Sequence, residues 1–286
     1  MEAFPPGILE DVDGGVVLLQ MMTSLFASVF GFGDALLAMP LLGILFGMEV
    51  PQAAPLVSMV STAMIVGNLA IDATQKAETV AVGRWRESGV LLCGAALGVP
   101  LGVQALVAVD PDIIREVVGS CLVTFGVAKL RKSAAKSSNE TAPKVDLLSV
   151  VLPLGFLAGF LGGAVAEPGP PAVVLSQLAR WDAPTSRTML FRFFLPVQAL
   201  AIADFDREGL LTPSILHQAA ASLPFVAIAV FVGTVLNRRI QPALFEDTVS
   251  IIVLSLGLFC SADAATSLLS APINTVIQEA VDIGAG

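Results

Sequence analysis

The chain has 286 residues, of which 55% are hydrophobic and only 14% charged, and its mean hydropathy is +0.84. Its 15 basic and 24 acidic residues gather in short stretches between long apolar runs, whereas roughly 25% of residues are charged in a soluble domain. That excludes a soluble globular enzyme, the net charge of −9 argues against nucleic acid as a partner, and the composition reads as an all-α polytopic membrane protein.

Residues 1–13 are an acidic lead-in carrying Glu2, Glu10, Asp11 and Asp13, without the basic n-region of a secretory signal. The apolar run over 14–47 is too long for one crossing, since a hydrocarbon core of about 30 Å takes roughly 20 helical residues. It is interrupted at Gly31-Phe32-Gly33-Asp34, with Pro40 beyond, and is read as a broken helix. Backbone groups freed there must face protein or water, because lipid satisfies none of them. The runs at 51–71, 88–109 and 113–130 have ordinary spanning length. Asn68 and Gln104 lie inside two of them, as helix glue or as substrate contacts. Gly94, Gly98 and Gly102 recur every fourth residue, a pattern of close helix packing. The 72–88 loop carries Lys76, Arg84 and Arg86, and a basic linker over 131–146 separates the halves.

The second half opens on 147–179, again too long, and broken at Gly162-Gly163 and at Glu167-Pro168-Gly169-Pro170-Pro171. Runs at 184–203, 213–236 and 248–270 follow, the second of them holding Gly233, before a tail over 271–286. A shift of about 135 residues lays Gly31–Asp34 on Ala166–Gly169 and Gly98 on Gly233. A duplication follows: about eight transmembrane segments in two four-segment repeats, 14–130 and 147–270, each opened by a Gly/Pro-broken helix. Paired interruptions in corresponding positions point to a transporter's binding site.

The basic 72–88 and 129–146 stretches are two spans apart and so share a side, the cytoplasmic one by their Lys and Arg content. With one crossing per broken helix, both termini are expected on that side too. This arrangement leaves Arg238 and Arg239 outside and the acidic 204–208 loop inside, against the same rule.

Four ionisable residues within the apolar runs are singled out: Arg192, Arg187, Asp34 and Glu167. Arg192, eight residues into the 184–203 span, costs roughly 2.5–3.5 kcal/mol to insert at that depth. It reads as an anion-binding cation, or as a strut to Glu167 or a snorkelling side chain; Arg187, nearer the span's start, snorkels more readily. Asp34 and Glu167 sit in the two breaks, as proton carriers or as caps on half-helix starts. Cys93, Cys121 and Cys260 lie in apolar runs without metal-ligand spacing, and with one histidine no metal site, cofactor motif or catalytic triad is expected.

Gly31-Phe-Gly33-Asp34 with Pro40, the Gly94/Gly98/Gly102 series, Gly155 to Gly163 followed by Gly169-Pro170-Pro171, Arg187, and Gly233 through Arg238-Arg239-Ile240, Phe245 and Gly257 together resemble the sulfite exporter TauE/SafE family, also called the 4-toluene sulfonate uptake permease family. The resemblance covers nearly the whole chain. Asp34 replaces a usual glycine, and Ala166-Glu167-Pro168 a glycine-containing stretch, so both departures add a carboxylate beside the backbone. The resemblance implies a secondary transporter, often an exporter, of small anions such as sulfite or sulfonates, in the plasma (inner) membrane. Substrate contacts are expected at Gly31, Gly33, Gly169, Pro170, Arg187 and Arg192, where half-helix N-termini and guanidinium groups suit an oxyanion, and proton coupling at Asp34 and Glu167. The alternative is an intramembrane enzyme or assembly factor using Asp34 and Glu167 for acid–base work. The partners expected are the anion and the lipid bilayer, with a homo-oligomer left open.

Overall fold

A computed structural model describes residues 12–74, 85–109, 147–179 and 183–237, with Ile113 and Trp181 singly. The apolar runs expected at 113–130 and 248–270, the linker and the tail therefore lie outside the described residues, apart from Ile113. Among the described residues the structure is helical throughout, without strands. The helices are α1 (Gly14–Phe30), α2 (Asp34–Phe46), α3 (Val50–Thr74), α4 (Trp85–Ala108), α5 (Leu152–Val165, entered through a π turn at Leu147–Val151), α6 (Gly169–Leu178), α7 (Ala183–Arg207) and α8 (Pro213–Asn237). Four of them, α3, α4, α7 and α8, are long and apolar enough to cross a membrane.

The burial pattern is inside-out relative to a soluble bundle. Leu223, Phe225, Ile228 and Phe231 of α8 and Leu97 and Leu101 of α4 face outward, while Gln20, Ser24, Ser28, Ser58, Ser61, Asn68 and Gln198 are buried. Lipid accepts the first set and rejects the second.

Both long runs are broken where expected. α1 starts under an Asp13 cap, whose carboxylate accepts from the Gly15 N–H at 2.7 Å. It ends at Gly31 (φ +88°), and Gly33 (φ +96°) sets the start of α2. Two residues with positive φ, two positions apart, turn the chain in a way only glycine tolerates cheaply. In the second half Ala166 takes the corresponding left-handed conformation (φ 59°), and Glu167-Pro168 leads into α6. Helix ends at Phe30 and Val165, and helix starts at Asp34 and Gly169, are each 135 positions apart.

One expectation fails in the first half. The first broken helix does not cross once; its chain turns back at the break. The Phe46 ring at the end of α2 lies against Gly15 at the start of α1, so both ends of the first hairpin are on one face. α3 leaves from that face, and its far end meets the end of α1, where Asn68 Nδ2 donates to Ser28 Oγ at 2.9 Å. In the second half, Gln198 Nε2 donates to Ala166 O at 3.0 Å, nine residues before the end of α7. In the first break the two left-handed glycines reverse the chain where a proline kink alone only bends it.

The turn-back inverts the second half. α1 runs parallel to α8: Asp13 N–H donates to Gln218 Oε1 at 2.9 Å at one end, and Gly233 approaches Ser28 at the other. α4 likewise runs parallel to α5. Gly94, Gly98 and Gly102 lie against Leu152, Phe156 and Phe160, while Gly155, Gly159 and Gly163 lie against Leu91, Ala95 and Val99. Backbone meets backbone along this seam, which is why neither helix tolerates a side chain there. α3 and α7 are antiparallel, since Arg187 near the start of α7 pairs with Asp72 near the end of α3.

Asp13 and the acidic Asp204/Asp206/Glu208 turn therefore share one face. Asn68 and Val29 meet Thr234 and Asn237 on the other.

Candidate functional site

The two breaks face each other inside the bundle. Asp34, the first residue of α2, accepts a hydrogen bond from Ser61 Oγ near the middle of α3. Glu167 is 6% exposed, and its Oε1 accepts from the Gly169 N–H at 2.9 Å, at the first turn of α6. Its carboxyl also interacts with that of Asp34, the first residue of α2. The starts of both short helices thus lie beside this pair of carboxyls. Those ends carry unsatisfied N–H groups and the positive pole of the helix dipole, the elements of an anion site.

The side walls come from α7 and α3. Phe194 of α7 lies against Gly169, and Val197 against Gly162. Gln198 is 2% exposed; while its Nε2 holds Ala166 O, its Oε1 is buried without a partner. Ser58, one turn before Ser61 on α3, is buried with its hydroxyl also unpartnered.

The structure thus brings Gly33, Asp34, Glu167, Gly169 and Pro170 to one region, the last two as the opening residues of α6. The arginines are placed elsewhere. Arg187 lies against Gly31 at the outer tip of the first hairpin. Its Nη1 donates to Asp72 at 2.9 and 3.1 Å, and its Nη2 to Asn68 Oδ1 at 2.7 Å and to Ser28 O at 3.3 Å. Its guanidinium also stacks on Phe191, 5.0 Å from the ring centre. Thr234 Oγ1 of α8 adds a hydrogen bond to Asn68 Oδ1 at 3.3 Å. This network ties α1, α3, α7 and α8 together at one end of the bundle. Arg192 points outward from α7, between the buried Phe191 and Phe193, so the helix turn that carries Phe194 to Gly169 carries Arg192 away from the breaks.

Sequence reasoning missed Asp72 and Ser61. Asp72 reads as a loop residue because it ends an apolar run, and only its pairing across 115 positions reveals it. Ser58 and Ser61 carry a weak signal, small hydroxyls three apart on an otherwise apolar helix. Asn68 acts as helix glue, as one of its two readings held, and Gln104 is exposed. Among the described residues no group of three or more His, Cys, Asp or Glu side chains is placed to hold a metal ion.

Neither curated proteins nor solved structures include a significant match to the chain. A family model described as Sulfite exporter TauE/SafE matches residues 16–260, a stretch that begins in α1 and contains both facing breaks and all four crossing helices. With most of its length matched to a transporter family and its apolar helices suited to a bilayer, this chain is an integral membrane protein of the sulfite exporter TauE/SafE family.

Proposed function

We propose that the chain is a secondary transporter that moves a small anion, such as sulfite or a sulfonate, out of the cell through the region where the two helix breaks meet. The observation that carries this reading is the buried Glu167 carboxyl on the first N–H of α6, beside Asp34 at the start of α2. Helix starts present N–H groups to an oxyanion without a fixed cation. Gly31, Gly33, Gly169 and Pro170 shape the backbone there, and Asp34 and Glu167 are the groups available to carry a coupling proton.

In this reading the two halves descend from one duplicated unit, inserted in opposite senses, and alternating access is a rocking of one half against the other. The equal spacing of helix ends and the matched pairings α1 with α8 and α4 with α5 support that. The face at which α8 ends is cytoplasmic, and the protein resides in the plasma membrane. Arg187 then acts at the cytoplasmic end, holding the network with Asp72 that closes the pathway there, and not as a direct substrate ligand.

A thermal-shift screen of the purified protein against sulfite, sulfate, sulfoacetate, taurine and simple carboxylates tests the substrate class. A ligand that binds only the folded form raises its apparent stability. Stabilisation by sulfite or a sulfonate beyond that by equal chloride is expected; no response to any oxyanion would refute the reading.

A further inference from the structure

The space in front of the α6 start is already filled, and by this chain's own anion. A side-chain carbon at Gly169 would run into Glu167 Oε1, which holds the Gly169 N–H at 2.9 Å. The same carboxyl interacts with that of Asp34, which opens the opposing short helix. An incoming oxyanion would seek that same Gly169 N–H.

We infer that Glu167 is a tethered competitor: its carboxylate sits on the α6 start in place of the transported anion, and gives way only when neutralised, so that anion and proton bind together. This rests on the transporter reading above and specifies its coupling. Asp34, on α2, is the titratable group that faces Glu167. No described residue of α5 or α6 is charged. On α7, Arg187 is committed to Asp72, Arg192 points outward, and Asp204, Asp206 and Arg207 lie at the far end of the helix, Arg207 paired with Asp204. On α3 the charged residue is Asp72, held in that same pair with Arg187.

An anion entering with Glu167 and Asp34 both ionised would place three negative charges in a water-poor interior with no cation beside them. Uptake of a proton by the Glu167 carboxylate removes one of those charges and frees the α6 start. The buried, unpartnered Gln198 Oε1, on the side chain that holds Ala166 O, gives independent support. It is an acceptor held against Ala166, the residue before Glu167, and awaits an O–H that a protonated carboxyl swung off the α6 start supplies.

Glu167→Gln keeps the size and removes the charge, and methanesulfonate serves as the probe because its own charge is constant over the range used. Thermal stabilisation is titrated at about pH 5.5 and about pH 8. The wild type is expected to bind at least about tenfold more weakly at the higher pH, and Glu167→Gln to bind equally at both, at about the wild type's low-pH affinity or tighter. In weak buffer, the wild type is also expected to take up about one proton per methanesulfonate bound, a readout that needs no variant. Weaker binding by Glu167→Gln, a retained pH slope, a slope lost only in Asp34→Asn, or binding without proton uptake would each overturn the inference while the transporter reading stands. Should Glu167 be only a helix cap, the variant would lose stability and keep the slope, which also overturns it. If methanesulfonate, sulfate and sulfite stabilise neither protein at either pH, the transporter reading falls and this inference with it.

Discussion

The α4–α5 seam makes a sharp quantitative test, because one helix supplies both the perturbation and its control. A Cβ built on Gly98 lies 2.7 Å from the Phe160 nitrogen and closer still to the Phe156 carbonyl oxygen, whereas one built on Gly89 of the same helix meets nothing within 4 Å. Ordinary contact begins at 3.4 Å, so Gly98→Ala must part the helices by at least 0.7 Å at that point. A gap of about 0.5–1 Å forfeits a quarter to a half of each neighbouring contact, and forced overpacking costs about 1–3 kcal/mol.

Against this, each Gly→Ala change gains about 0.8–1.0 kcal/mol of helix propensity. That gain is common to both variants and cancels in their comparison. Gly98→Ala should therefore be about 1–3 kcal/mol less stable than Gly89→Ala in reversible unfolding from mixed micelles. Gly159→Ala, which presses on Ala95 across the same seam, should cost a similar amount, and the Gly98→Ala/Gly159→Ala pair less than the sum, because both push one gap open. Equal stability of Gly98→Ala and Gly89→Ala would refute the backbone-to-backbone seam, and with it the parallel pairing that inverts the second half.

Arg187→Lys retains the charge but loses the fork that serves Asp72, Asn68 and Ser28 together, and should lose about 1–3 kcal/mol of stability in the same unfolding assay; an unchanged midpoint would remove the network from the account. With the native cysteines replaced, Glu208→Cys should react with an impermeant thiol reagent from outside sealed cells and Ser137→Cys only after permeabilisation; the opposite pattern would reverse the assigned orientation. Ala166→Gly relieves a left-handed alanine and should leave stability unchanged or raise it by up to about 1 kcal/mol; a clear loss would show that the turn depends on the alanine methyl.

The breaks were legible because lipid makes them so. Gly31, Gly33 and the Glu167–Pro171 stretch interrupt runs that a bilayer would otherwise keep helical, and the 135-residue spacing shows in the letters alone. Whether a broken run crosses or returns is not written in its composition. It depends on the φ angles at Gly31, Gly33 and Ala166 and on what receives the returning helix. Arg192 looked central because depth along a span is readable while the direction of a side chain is not. One residue's rotation, about 100° on a helix, separates Arg192 from the buried Phe191 and Phe193. Asp72 and Ser61 needed the third dimension outright, since the partners of both come from other helices.

The central claim is carriage of a small anion through the meeting place of the two breaks, and flux across a sealed bilayer tests it most directly. Vesicles reconstituted with the wild type and loaded with sulfite should release it in a saturable, protein-dependent way. Gly169→Val, whose side chain occupies the ground before the α6 start, should abolish release at wild-type folded yield. Release from wild-type vesicles no faster than from protein-free ones, or undiminished release by Gly169→Val, would contradict the account.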